Sequence, residues 1–301
     1  MTGKVASPGS GSRHHYAGRV VIDLHTHSTA SDGTEASDVV VERAVEAGLS
    51  TVALTDHDTT MGWADAADAA RARGIRLLPG IEVSCARRHR SIHLLAYLPD
   101  PGHPGLVAEL ERARHSRDTR LDRMVSLMAA DGIPVTAESV RAEVGVGATA
   151  GRPHIADALV TAGVVAHRDE AFARWLGTNS PYYVSHYAPD PVRAVELVHA
   201  AGGVPVIAHP WSGTRGRVVS DGLLEELAAA GLAGIEVFHR DHSADAVRHL
   251  GAVARSLRLL VTGSSDYHGE GKLNRLGENT TGMAVLEAIE ALGTGASVVE
   301  P

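Results

Sequence analysis

The run from Val20 to Leu24 is apolar except for Asp23, and it empties into His25-Thr-His27, with Asp32-Gly33 five residues beyond. Two positions apart on an extended strand, the two imidazoles leave the same face. Paired imidazoles beside a carboxylate form a donor set for a divalent transition metal. One such pair near a turn does not by itself require a metal, but the arrangement recurs. Ser50–Leu54 ends in Thr55-Asp56-His57-Asp58, and Gly80-Ile-Glu82 sets a lone carboxylate in an apolar run. Ser91–Tyr97 carries His93 inside it, Val204–Ile207 runs into Ala208-His209-Pro210, and the run from Leu259 leads to Asp266-Tyr-His268. A buried, unpaired carboxylate such as Glu82 costs several kcal/mol, and a cation beside it removes that cost.

Such residues need elements that bring strand ends together. Apolar strands at 20–24, 50–54, 75–85, 91–97, 204–207, 234–238 and 259–261 alternate with helical patterns at 34–48, 63–73, 191–201, 223–230 and 244–257. A last helix is expected over 283–292. Regular alternation of this kind predicts a β/α barrel, whose parallel strands deliver their C-terminal ends to one face. On that face His25, His27, Asp32, His57, Glu82, His93, His209, Asp266 and His268 would meet.

Between Pro99 and Ser185 the alternation stops. His103–Asp131 is one long helical pattern with Leu106, Leu110, Leu121, Met124, Val125 and Met128 as its apolar stripe. Short helices are expected at 136–144, 153–162 and 169–176. The expected division is therefore a barrel from 19–98 and 186–301, interrupted by a helical insertion at 99–185. Gly151-Arg152-Pro153-His154 opens a helix, where an arginine and an imidazole at a positive helix end suit a phosphate. The same two residues also read as solvated surface groups. Arg240, after the strand at 234–238, is a further candidate phosphate clamp. The Arg87-Arg88-Arg90 cluster is a weaker one that also reads as a solvated turn.

Composition narrows the function. The 301 residues are 44% hydrophobic and carry Lys+Arg 28 against Asp+Glu 36, a formal net charge of −8. That balance argues against a long, non-specific nucleic-acid groove, which needs a basic stripe. It does not exclude a small anionic substrate drawn to bound cations. Cys85 is the single cysteine, which suits a reducing, cytoplasmic setting, and no apolar run is long enough to span a membrane. Residues 1–18, rich in Gly, Ser and His, are expected to be a disordered leader. Nothing in the sequence fixes an oligomeric state.

Taken together, His25-Thr-His27, Asp32-Gly33, Thr55-Asp-His57-Asp, Gly80-Ile-Glu82, His93, Ala208-His209-Pro210 and Asp266-Tyr-His268 resemble the PHP (polymerase and histidinol phosphatase) family. The motifs span Val20 to His268. The resemblance implies an α/β fold, a distorted seven-stranded (β/α)7 barrel with a helical insertion, and a site for two or three divalent transition metals. His25, His27, Glu82 and Asp266 match a first metal position, and Glu82 would bridge to a second with His93 and His209. Asp32, His57 and His268 would hold a third. Mixed imidazole and carboxylate donors suit Mn, Zn or Fe. The resemblance also puts the chemistry on Glu82, Asp266 and His209. Arg152-Pro-His154 and the insertion look like the branch acting on 3′,5′-nucleoside bisphosphates and the 5′ ends of short RNA. The implied activity is metal-dependent hydrolysis of phosphate esters on a small phosphorylated substrate. A histidinol-phosphate phosphatase and a non-catalytic metal-binding module are the alternatives.

Overall fold

The computed structural model describes residues 20–301 apart from 89 and 213–216, so the expected leader over 1–18 lies outside the described residues. Seven strands form one sheet: β1 (Ile22–Asp23), β2 (Thr51–Leu54), β3 (Arg76–Arg87), β4 (Arg90–Tyr97), β5 (Val204–Ala208), β8 (Gly234–Phe238) and β9 (Leu260–Gly263), paired in that order. A two-stranded ribbon, β6 (Trp211–Ser212) and β7 (Arg217–Val218), lies outside it. The ring is nearly closed. His27 N–H donates to the Tyr267 carbonyl, joining the chain after β1 to the loop after β9.

One strand runs against the expectation of parallel pairing. β4 is antiparallel to both neighbours, with Ser84 opposite His93 on one side and His93 opposite Ala208 on the other. The reason is local. β3 passes straight through Pro79-Gly80 and turns back at Arg88, whose φ of 49° places it in the left-handed region. A tight hairpin can only return antiparallel. His93 consequently sits near the start of β4, and the start of a reversed strand lies at the same mouth as the ends of its parallel neighbours.

The lower barrel is filled by Ile22, Leu24, Leu78, Leu95, Tyr97 and Val206, all at most 2% exposed. Outside the sheet stand α1 (Ser37–Glu46), α2 (Trp63–Arg73), α7 (Pro191–Ala200), α8 (Asp221–Ala229), α9 (Ala244–Leu257) and α10 (Met283–Leu292). Between β4 and α7 come α3 (Pro104–Ala130), α4 (Ala137–Glu143), α5 (Arg152–Thr161) and α6 (Arg168–Ala171), the last running into a π-helical turn at Phe172–Leu176.

The 27-residue α3, about 40 Å long, serves two cores. Leu106 and Leu110 pack with Ile81, Val195 and Leu197 against the barrel. Leu121, Met124, Val125 and Met128 pack instead with Val140, Ile155 and Leu159 in a second apolar cluster made by the helices between β4 and α7. Among the described residues no helix is long and apolar enough to cross a membrane.

Candidate metal centre

Above the apolar layer the barrel turns polar. Glu82, 1% exposed on β3, is the hub. Its Oε2 lies 3.3 Å from His25 Nε2, 3.1 Å from His27 Nε2 and 3.2 Å from His57 Nδ1. Its Oε1 lies 2.6 Å from His93 Nδ1 and 3.1 Å from His209 Nε2. Five imidazoles carried by four strands therefore divide between the two oxygens of one carboxylate.

A second carboxylate, Asp266, completes a four-atom group. Its Oδ1 is 3.6 Å from His25 Nε2 and 3.5 Å from His27 Nε2, and those two nitrogens are 3.1 Å apart. A tetrahedral cation with ligands at about 2.0–2.2 Å requires ligand spacings of roughly 3.3–3.6 Å. Three of the five spacings fall in that range and two, at 3.1 Å, lie just below it, so His25, His27, Glu82 and Asp266 could hold one ion. Further groups that could do so are His57, Glu82 and His93, and His27, Asp32, His57 and His268. In the last of these His268 Nε2 is 3.2 Å from Asp32 Oδ1. Buried ring nitrogens at His57 Nδ1 and His268 Nε2 lie 3.2 Å from Glu82 and Asp32 without an aligned hydrogen bond, and His209 Nδ1 has none either, as in a donor set suited to cations.

The electrostatics point the same way. Burial opposes charge on His25, yet Glu82, Glu236 and Asp266 outweigh it and hold its pKa well above the ordinary value. Burial likewise opposes charge on His27, and hydrogen bonds to Asp266 and Glu82 raise it to about 9. Burial wins at His57 and His209, which are held well below the ordinary value despite Glu82. His268 falls to about 4 through burial, helped by the charges of Lys272 and His27. Burial would raise Glu82, but His93, His57 and His25 keep it well below the usual carboxylate range. Asp32 and Asp266 behave alike: burial is overcome by His268 and His57 for the first, and by Lys272, His268 and His25 for the second. The cluster thus demands positive charge, and protons on His25 and His27 are a poor substitute for divalent cations.

All nine candidate ligands converge here. Other residues around them carry weaker sequence signals. Glu236, fully buried on β8, lies 3.1 Å from His25 Nδ1. It is a lone carboxylate in an apolar strand, the same signal that singles out Glu82. His239 follows β8 as His209 follows β5, and its Nε2 is 3.6 Å from Asp266 Oδ2, to which Lys272 Nζ also donates at 2.8 Å. Arg117 occupies an apolar register of α3 and donates through Nε to Asp58 Oδ2 at 3.0 Å, beside Ser84. Two candidate ligands have unusual backbones: His209 has φ 28° and Asp266 φ 57°.

The candidate anion-binding residues separate. His154 is 4% exposed, and its Nδ1 accepts from Gly151 N–H at 3.0 Å, closing the start of α5. Arg152 donates to the Leu176 carbonyl at 2.7 Å and lies over the rings of Phe172 and Tyr183. Beside it, His186 is pushed down to about 2, by burial first and then by Arg117, Arg120, Arg152 and His93. Arg117, Arg120 and Arg152 come together at one narrow crevice, against Leu121, Met124 and Ile155. Arg240, by contrast, is spent on Glu278 and the Leu273 carbonyl, with 41% of its side chain exposed. Arg87 grips Asp190 through two bonds of 2.8 Å and also pairs with Glu226, while Arg88 and Arg90 are exposed.

Comparison with known proteins accords with this geometry. A family model described as the PHP domain matches residues 23–133. The 3′,5′-nucleoside bisphosphate phosphatase of Chromobacterium violaceum is 36% identical, over 84% of this chain and 89% of that protein. The chain belongs to the PHP family. A 5′-3′ exoribonuclease of Haemophilus influenzae is 34% identical, over 85% of this PHP protein and 93% of the relative. A solved structure described as a metal-dependent phosphoesterase from Bifidobacterium adolescentis superposes with a TM-score of 0.88 at 40% identity, covering 91% and 96% of the two chains. A second, an amidohydrolase from Chromobacterium violaceum with bound sulfate, gives 0.83 at 32% identity, covering 94% and 98%. This PHP protein is a metal-dependent phosphoesterase, a hydrolase whose carboxylate and histidine clusters suit divalent metals.

Proposed function

We propose that this phosphoesterase acts on small nucleotides, removing phosphate from 3′,5′-nucleoside bisphosphates or hydrolysing the 5′ ends of short RNA. The observation that carries the reading is a group of three arginines, Arg117, Arg120 and Arg152, close enough to His186 to act on its charge, as does His93 of the Glu82 cluster. A substrate with two phosphates needs two anion sites. One phosphate would meet the metal centre while Arg152, with its planar fork, takes the other. His154 closes the helix start that presents Arg152. The names of the Chromobacterium and Haemophilus relatives support the same substrate class.

In this reading two or three Mn, Zn or Fe ions occupy the site. His25, His27, Glu82 and Asp266 would hold one, Glu82 with His93 and His209 a second, and Asp32, His57 and His268 a third. Bound cations supply neutralisation of the phosphate and an acidified water. The chain supplies the rest. Glu82, Asp266 and His209 fix the reacting atoms against the apolar floor, and Lys272 holds the outer oxygen of Asp266. Residues 99–185 cap the mouth of the barrel formed by 19–98 and 186–301, limiting entry to small substrates. The single cysteine, buried and free, suits a cytoplasmic enzyme.

The test is kcat/KM of Arg152→Ala on a nucleoside 3′,5′-bisphosphate and on p-nitrophenyl phosphate. Losing a hydrogen bond to a charged group costs about 1.5–3 kcal/mol, so activity on the bisphosphate should fall roughly 10- to 150-fold. The single-phosphate ester should be affected far less, and metal content should be unchanged. Equal losses on both substrates refute the assignment.

A further inference from the structure

Behind the metal centre lies a carboxylate that faces the backs of its ligands and stands apart from the open group around Glu82. Glu236 on β8 is 0% exposed, and each of its oxygens has a different partner. Oε1 is 3.1 Å from His25 Nδ1, and Oε2 accepts the backbone N–H of His209 at 2.7 Å. An ionised carboxylate only accepts hydrogen bonds, so His25 Nδ1 must carry a proton. The lone pair of the neutral ring then lies on Nε2, the nitrogen that faces Glu82 Oε2, His27 and Asp266. His209 stands on the other side of Glu82, its Nε2 3.1 Å from Oε1. Its φ of 28° is one that an L residue keeps only when its surroundings enforce it, and the bond from its N–H to Glu236 is such a constraint.

Glu236 could instead be read as a ligand, since its oxygens and the rings of His25 and His209 lie close enough to surround an ion. Two facts oppose that. Oε2 is already committed to a backbone amide, and a ligand role would require His25 to bind metal through both nitrogens at once.

We propose that Glu236 is a positioning residue of the metal centre. It selects the Nε2 lone pair of His25 and fixes the His209 backbone, so that one buried side chain orients an imidazole on each side of Glu82. The proposal rests on the reading that His25 and His209 bind metal. Partners of this kind orient metal-ligating histidines and set their tautomer, and their loss typically weakens binding about 10- to 100-fold.

The experiment uses the full chain with Zn²⁺ as probe, measuring ion stoichiometry and affinity by chelator competition for the parent, Glu236→Gln and Glu236→Asp. The tautomer of His25 is read from long-range ¹⁵N–¹H correlations. Gln can offer its one oxygen to His25 or to His209, never to both. Glu236→Gln should therefore bind Zn²⁺ about 10- to 100-fold more weakly, keep the ion count at saturation, and show His25 losing its single tautomer. Glu236→Asp keeps both acceptors one methylene further back and should fall between, and it carries the same test if the Gln variant does not fold. Affinity within twofold of the parent with an unchanged tautomer overturns the proposal. Loss of one whole ion overturns it too, by making Glu236 a ligand. A parent chain that binds no Zn²⁺ refutes the metal-centre reading itself, a result distinct from either.

Discussion

Replacing Arg117 by alanine isolates the bond that ties the long helix α3 to the wall of the barrel that carries His57 and His93. Arg117 Nε donates to Asp58 Oδ2 at 3.0 Å, with side-chain exposures of 10% and 0%. Asp58 also accepts from Ser84 N–H and Ser84 Oγ, both at 2.7 Å. It directly follows His57, and Ser84 pairs with His93 in the sheet, so the ion pair braces two candidate ligands at once. Were the pair exposed, its loss would cost at most about 1 kcal/mol. Because it is buried, Arg117→Ala strands a carboxylate without its cation, and the expected loss is about 3–5 kcal/mol. Asp58→Asn removes the stranded charge while keeping an acceptor for Ser84. Added to Arg117→Ala, it should cost far less than it does alone, giving a coupling of at least about 1.5 kcal/mol. Urea unfolding of the metal-free parent, both single variants and the double variant supplies the four free energies. A loss below about 1 kcal/mol for Arg117→Ala, or additivity within about 0.5 kcal/mol, refutes the reasoning.

Glu82→Gln should lower metal content by more ions per chain than His268→Ala, because Glu82 faces five imidazoles whereas His268 faces two carboxylates, Asp32 and Asp266; elemental analysis showing equal content in the two variants contradicts this. His186, at about 2 against an ordinary 6.5, resists protonation in the folded chain, so the stability it contributes is present above pH 6.5 and is lost as pH falls toward 2. The loss is at most about 1.4 kcal/mol per pH unit, and His186→Gln should flatten the stability–pH profile between those limits. An NMR titration placing His186 near 6.5 refutes it.

Much of this protein is legible in its sequence because strand ends and metal donors repeat together. Each apolar run is short, and each ends in a histidine or carboxylate, so the barrel and its mouth can be read from one pattern. The reversal of β4 is not legible. The strand over 75–85 reads straight through Pro79-Gly80, as it does in the structure, and the arginine cluster reads as a turn, but a turn between two apolar runs does not say that the second strand runs back against the first. Glu236 carries the signal that singles out Glu82, and His239 follows it after β8, but neither belongs to the motifs that carry the family resemblance. Arg117 was hidden by the regularity of its helix: Leu106, Leu110, Leu121 and Met124 define an apolar stripe whose gap at 117 looks like a solvated turn of α3. Arg240 sits beside a real donor, His239, yet its guanidinium is taken by Glu278, a partner 38 residues away that no local pattern announces.

The backbone angles at His209 and Asp266 carry a consequence for how such a site persists. Both residues hold a positive φ that glycine adopts freely and that costs an L residue about 1–2 kcal/mol. Stability alone would put glycine at both places. On the proposed ligand roles, the two side chains are kept only while binding cations returns more than the backbone loses, so selection for folding and selection for chemistry oppose each other at these two positions. In a descendant lineage freed from its reaction, His209 and Asp266 are where decay of the site should begin, ahead of His25 and His27, whose backbones are unstrained. An intact pair at these positions in a distant relative is therefore a stronger sign of a working centre than an intact His25-Thr-His27 motif.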